Sequence, residues 1–164
     1  MAGVALAIVA APAVASAFVE PDGSPLHPAA VEEPRRAAGV ELGEVASRVD
    51  PSRTRIANVK ELLRAEAESE LASIEWGKLR RRYLVSATVV KLDSTKTGER
   101  TLSVACTVSA AVREADSGRI VFLVEGKARA EDAASEGERA ERDALGAAAR
   151  GAMKALPEGL RQAQ

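Results

Sequence analysis

The chain is poor in the side chains that most often carry chemistry. It has one histidine and one cysteine, which excludes an internal disulfide framework and a His/Cys-rich metal site. Aromatic residues make up 2% of the chain, whereas alanine supplies 34 of its 164 residues. A folded core must therefore be thin and built mainly from Val, Leu and Ala.

The sequence also lacks an excess of basic residues and lacks the common catalytic and nucleotide-binding motifs. The charge is nearly balanced, with 23 basic against 24 acidic residues, which argues against a nucleic-acid-binding protein. No P-loop, GxGxxG, HExxH, GxSxG or CxxC pattern occurs. We therefore expect no enzyme activity, no catalytic residue, no cofactor and no metal.

Residues 1–17 predict a signal peptide. They carry no charge, Gly3–Ala11 form an apolar run, and Ala15-Ser16-Ala17 is a small-x-small cleavage site. No Lys or Arg precedes the run, so an upstream start or an uncleaved membrane anchor stays open. We predict an exported chain, periplasmic or extracellular, that meets a membrane only through an uncleaved signal, if at all.

The next segment, 18–38, predicts a Pro/Ala-rich flexible linker. It holds four prolines, which disfavour both helix and central strand, and it contains His27. A single α+β domain is expected over residues 39–160.

Two helices are predicted, at about 51–76 and 135–156. Asp50-Pro51 has the form of an N-cap followed by the first helical residue. Ser135 and Glu138 form a capping box, and an apolar stripe from Leu145 to Leu156 follows at helical spacing.

A meander of three strands is predicted over 82–92, 100–114 and 118–130, preceded by a weaker strand near 40–49. In the second hairpin a three-residue loop pairs Ala115 with Arg119 and sets Val112 opposite Phe122, so that apolar residues face one another. We expect a two-layer sandwich, with a three- or four-stranded, mainly antiparallel sheet and both helices on one face.

The face without helices is the candidate partner surface. It is small, flat and almost uncharged, which makes it easy to desolvate, although strand propensity alone also favours Ser and Thr there. Its residues are Ser103, Ala105, Thr107, Ser109, Ala111, Val121 and Leu123. Cys106 belongs to the opposite, inward row.

Two charged clusters have alternative interpretations. The basic run 78–82 is either a solvated connection or a contact for phosphate or anionic lipid. The acidic residues at the start of the last helix suit its positive dipole end, or else a divalent cation. They are Glu131, Asp132, Glu136, Glu138, Glu141 and Asp143.

The order of leader, linker, helix, meander and helix resembles small periplasmic domains of envelope proteins. Such domains occur in LpoB-type activators of penicillin-binding proteins, CsgG-type secretion proteins and the amino-terminal domain of TolB. The resemblance rests on the pattern of 82–92, 102–112 and 118–130, and this chain lacks the lipidation cysteine of the lipoprotein members. It implies docking on other envelope proteins, without enzymatic activity.

Two functional hypotheses follow. The first is a non-catalytic exported module that docks on a cell-envelope protein complex. The alternative is an envelope protein that binds a small ligand or lipid. The identity of the partner and the oligomeric state are not specified by the sequence.

Overall fold

One mixed sheet with strand order β1-β2-β3-β4 forms the centre of the computed structural model, which describes residues 39–163. The strands are β1 (Val40–Ser47), β2 (Tyr83–Lys96), β3 (Thr101–Glu114) and β4 (Ile120–Ala133). The first two are parallel and the other neighbours antiparallel. The predicted leader and linker, including His27, lie outside the described residues.

The helices are α1 (Val59–Ser73), α2 (Gly137–Lys154) and the short α3 (Leu156–Ala163). Their buried residues join those of one sheet face in a single hydrophobic core. The predicted α+β class, the antiparallel meander and the placement of two helices on one face are therefore confirmed. No helix within residues 39–163 has the length and apolar character that crossing a membrane requires.

The predicted start of the first helix was wrong, and neither predicted amino-terminal cap serves its α-helix. Asp50 accepts a hydrogen bond from the Ser52 amide at 2.9 Å, but it caps only the 3-10 turn Pro51–Arg53. The chain then extends, because Thr54 and Arg55 bond to a side chain of α2, and α1 begins at Val59. The Ser135 capping box does not form either, since Ser135 lies inside a second 3-10 turn before α2.

The predicted end of the last helix needs a similar correction. The predicted range ends at about 156, but α2 ends at Lys154 and the helical region continues through Pro157 and Gly159 in α3. Proline is tolerated at the first positions of a helix because its missing N–H would have no partner there. Gly159 is needed because a Cβ at this position would lie 2.5 Å from the Phe122 ring.

The second hairpin keeps the predicted register along most of its length, with Val112 opposite Phe122 and Ala110 opposite Val124. Its closure was predicted wrongly. The Glu114 amide, and not Ala115, bonds to the Arg119 carbonyl at 2.9 Å. Arg113 then pairs with Ile120, so Val121 is an extra, bulged residue. Gly118 has φ +67°, the left-handed conformation expected for it.

The inward face of β2 and β3 is sealed. Every inward apolar side chain from Tyr83 to Leu92 and from Leu102 to Val112 is at most 4% exposed. A bulge between Val89 and Lys91 shifts the alternation, so that Val89 and Leu92 both point inward. The predicted burial of Cys106 is confirmed at 2% exposure, and desolvation raises the pKa of its thiol to about 12.

Helix α2 lies directly on the backbone of β4 at Gly126. A Cβ added to Gly126 would stand 1.9 Å from the Ala148 carbonyl oxygen and 2.5 Å from the Ala152 nitrogen. Both obstacles are backbone atoms, which a rotamer change cannot move away. The helix side of the contact is an alanine face, and Ala140, Ala144, Ala148 and Ala152 are all buried.

We predict that Gly126→Ala costs about 3 kcal/mol or more of the free energy of unfolding, because the helix must move off the sheet. Gly151→Ala is the matched control, since its Cβ would have only the Gly126 Cα nearby, at 3.7 Å. In the helix that substitution should be neutral or stabilising by about 1 kcal/mol. Urea unfolding of both variants measures the difference, and equal midpoints would contradict this packing.

Candidate functional site

The sheet face opposite the helices is the candidate site, and we call it the open face. Three large hydrophobic residues are exposed within residues 39–163, Val90 at 39%, Ile120 at 49% and Leu123 at 61%. All three line one groove on the open face. Scattered exposed aliphatic residues are ordinary, but a concentration on one face is typical of a contact surface.

The groove spans all four strands. Its floor is made of small side chains, Ala46, Ser86, Thr88, Ser109 and Ala111. Charged residues also line it: Glu44 from β1, Arg48 directly after β1, Arg113 from β3 and Glu125 from β4. The surface therefore combines a few exposed aliphatic side chains with a floor of small residues, several of them hydroxyl-bearing, and charges of both signs at its border, as in protein interfaces with a polar rim.

Six of the seven residues predicted for the partner surface belong to the open face. Leu123 pairs with Ala111 as expected, and Ala105, Thr107 and Ser109 are half-buried. Ser103 belongs to the row but is only 2% exposed, lying between Thr95 and Glu131 of the flanking strands. The Ser103 hydroxyl has no hydrogen-bond partner among the described residues.

Val121 was assigned to the wrong face. The bulge turns it toward the helix side, where it packs against the core and lines a depression with Tyr83 and Glu114. Ile120 replaces it on the open face beside Leu123. Strict alternation cannot reveal such a shift, because a bulge adds one residue to only one of the paired strands.

The carboxylate of Glu141 is buried on the helix side of the sheet, which its place in the sequence did not predict. Glu141 was grouped with the solvated acidic residues at the start of α2, but its side chain is only 1% exposed. It accepts hydrogen bonds from Thr54 Oγ1 at 2.8 Å, from the Arg55 amide at 2.7 Å and from Ser94 Oγ at 2.9 Å. The Arg55 guanidinium lies 3.7 Å from its Oε1.

Helical spacing could have located this residue. Glu141 precedes Leu145 by four residues and Ala148 by seven, and so lies on the buried stripe of α2. Its contacts join the segment before α1, strand β2 and helix α2. Glu141 is therefore a structural connection between these three parts of the domain.

The other acidic residues of that cluster do not converge either. Arg139 lies 3.9 Å from both Asp132 and Asp143, and Arg142 bonds to Glu138 at 2.7 Å. Within the described residues no group of three or more His, Cys, Asp or Glu side chains is placed to hold a metal ion.

A second polar cluster closes the β3–β4 hairpin. Glu114, 9% exposed, accepts hydrogen bonds from Arg119 at 2.8 Å, from Ser117 at 2.8 Å and from Arg81. The bond from Arg119 is the largest of the effects that lower the pKa of the Glu114 carboxyl to about 2. The cluster joins the basic run before β2 to the hairpin.

We expect Glu141→Ala to lower the free energy of unfolding by about 3 kcal/mol, since it leaves an amide and two hydroxyl groups without their acceptor. Glu138→Ala is the control on the same helix. Its carboxylate is exposed and meets Arg142 one turn away, so the cost should stay within about 1 kcal/mol. If a denaturant titration gave equal losses of unfolding free energy for the two variants, the hydrogen bonds of Glu141 would not stabilise the fold as described.

The Glu114 cluster predicts a pH dependence of stability. Between pH 4.5 and about 2 the folded carboxyl stays ionised while an unfolded one takes up a proton. Lowering the pH through this window therefore favours the unfolded state. In the variant Glu114→Gln this ionisable group is absent. The free energy of unfolding should therefore change less steeply with pH between 4.5 and about 2 than in the wild type.

The control for this titration is Glu125→Gln, because the Glu125 carboxylate is exposed and meets only the Lys127 ammonium, at 3.0 Å. Urea unfolding over the acid range should give the wild-type slope for this variant. An unchanged slope for Glu114→Gln would contradict the assignment.

Comparisons with known proteins connect the chain to others through its fold. A Xanthomonas campestris protein of the DUF330 family superposes with a TM-score of 0.54 at 12% identity, covering 77% of this chain and 87% of its own. A minor lipoprotein from Acinetobacter baumannii superposes with a TM-score of 0.46 at 10% identity, and the match covers 74% of this chain and 90% of the lipoprotein. No protein-family model and no curated protein matches the sequence. The chain shares its α+β architecture with the Xanthomonas protein, and at this identity the likeness is one of fold.

Proposed function

We propose that this protein is a non-catalytic exported module that docks on another protein of the cell envelope through the open face. The observation that carries the proposal is the position of Val90, Ile120 and Leu123, the exposed large hydrophobic residues of the described chain, in one groove. The export part rests on the signal-like residues 1–17. The structural neighbours described as lipoproteins fit an envelope location.

The shape of the open face suits a protein partner. The floor of small side chains between Thr88 and Ala111 lets another surface approach closely, while Leu123 projects as an anchor. Small residues lose little side-chain entropy on binding. Buried aliphatic anchors surrounded by polar groups are the usual source of affinity in such interfaces.

Photo-crosslinking in the native envelope tests the proposal. A photoreactive amino acid at Leu123 should give a discrete adduct, whereas the same residue at Ala72, exposed on α1, should give none. Ala111→Arg in the same protein should abolish the adduct, because a long charged side chain then stands on the floor of the contact, beside residue 123.

Stability must be checked in parallel. Leu123→Glu and Ala111→Arg should each change the free energy of unfolding by about 1 kcal/mol or less, as surface substitutions do. An adduct of twice the mass of the exported chain would identify a second copy of the chain. Equal crosslinking from Leu123 and Ala72, or a bound small molecule in native mass spectrometry in place of a protein, would overturn the docking function.

A further inference from the structure

We propose that one end of the sheet is a contact surface for an anionic lipid bilayer. This surface, the basic end, consists of residues 78–83, where the chain enters β2, and residues 113–120, where β3 turns into β4. It is distinct from the floor of the open face, although Arg113 and Ile120 border both.

The basic end concentrates positive charge. Its two segments hold six basic residues against two acidic ones, Glu114 and Asp116, a net charge of +4 in a chain whose total is −1. The basic residues are Lys78, Arg80, Arg81, Arg82, Arg113 and Arg119. Only the first four are neighbours in the sequence, because Arg113 and Arg119 follow more than thirty residues further along the chain.

Part of this charge is neutralised internally and part is not. Glu114 holds Arg81 and Arg119, and Asp116 lies 3.0 Å from Arg82. Lys78, Arg80 and Arg113 are exposed, and none of them has an ion-pair partner among residues 39–163. These three residues leave positive charge at this end available to an external anion.

The arrangement favours an extended surface over a single phosphate. Arg80 lines a depression on the helix side with Tyr83, whereas Arg113 lines the groove of the open face with Ile120. The two guanidinium groups thus border opposite sides of the sheet. One small anion cannot meet both, but a flat anionic surface laid against the end of the sheet can.

Charge polarity orients the molecule in the same way. Strand β4 leads from the basic end to segment 131–138, which carries four acidic residues and no basic one; with Lys96, Glu99 and Arg100 at the neighbouring β2–β3 turn, the net charge of the opposite end is −3. At about 3.3 Å per residue the two ends are roughly 40 Å apart. An anionic surface attracts the basic end and repels the acidic one, so it selects a single orientation.

The chain also enters the domain at this end. Val40 pairs with Tyr83, and the Gly39 carbonyl accepts a hydrogen bond from the Tyr83 amide at 2.8 Å. The 38 residues before Gly39, with their uncharged apolar segment, are therefore attached beside Arg82.

The test is the partitioning of the full chain onto vesicles, with phosphatidylcholine alone compared with phosphatidylcholine plus phosphatidylglycerol. Neutral vesicles measure the contribution of the apolar leader, and the gain on anionic vesicles measures the charge effect. We expect a gain that falls as salt is raised. The double variant R80E/R113E should lose about tenfold or more of it, since each basic residue at such a surface contributes about fivefold.

The matched control is K96E/R100E, which changes the net charge equally at the opposite end of the sheet. It should keep nearly all of the gain. Equal losses in the two variants would reduce the effect to net charge and overturn the proposal, as would equal binding to neutral and anionic vesicles. If soluble glycerol phosphate at low concentration released the protein from anionic vesicles, the ligand of the basic end would be a single phosphate group and not a bilayer. This outcome would also overturn the proposal.

Discussion

The distance between helix α2 and the sheet is the constraint on which the rest of the structure depends. Gly126 brings the β4 backbone against the Ala148 carbonyl, and the alanine face of α2 continues this approach in both directions. A layer so close has little room for large side chains, which explains how a chain with 2% aromatic residues fills its core. The alanine-rich composition allows the helix to lie this close to the sheet, and the short distance in turn leaves room only for small side chains.

The buried Glu141 is intelligible in this setting. At the amino-terminal end of the alanine face the α2 stripe meets the segment before α1 and the far half of β2, where a long polar side chain can reach three donors. Thr54, the Arg55 amide and Ser94 satisfy the carboxylate, so its desolvation is offset by bonds from the protein itself. The same bonds keep residues 54 and 55 extended and thereby decide where α1 begins.

With one face sealed by helices, the remaining surfaces of the sheet divide into regions of different character. The open face has a small, uncharged floor with Leu123 projecting from it. The end at the β3–β4 hairpin gathers basic residues around Glu114, while the opposite end is acidic. Protein docking on the face and lipid contact at the end are therefore compatible, since they use different sides of one layer.

The sequence by itself determined the α+β class, the meander, the inward row through Cys106 and the register that sets Val112 opposite Phe122. These follow from alternation and helical spacing, which are local and strict. Tertiary structure alone decided the bulge that turns Val121 inward, because a bulge depends on how two strands close. It also decided the start of α1 and the gathering of Arg80 and Arg113 at one end of the sheet, because these depend on contacts between residues far apart in the chain.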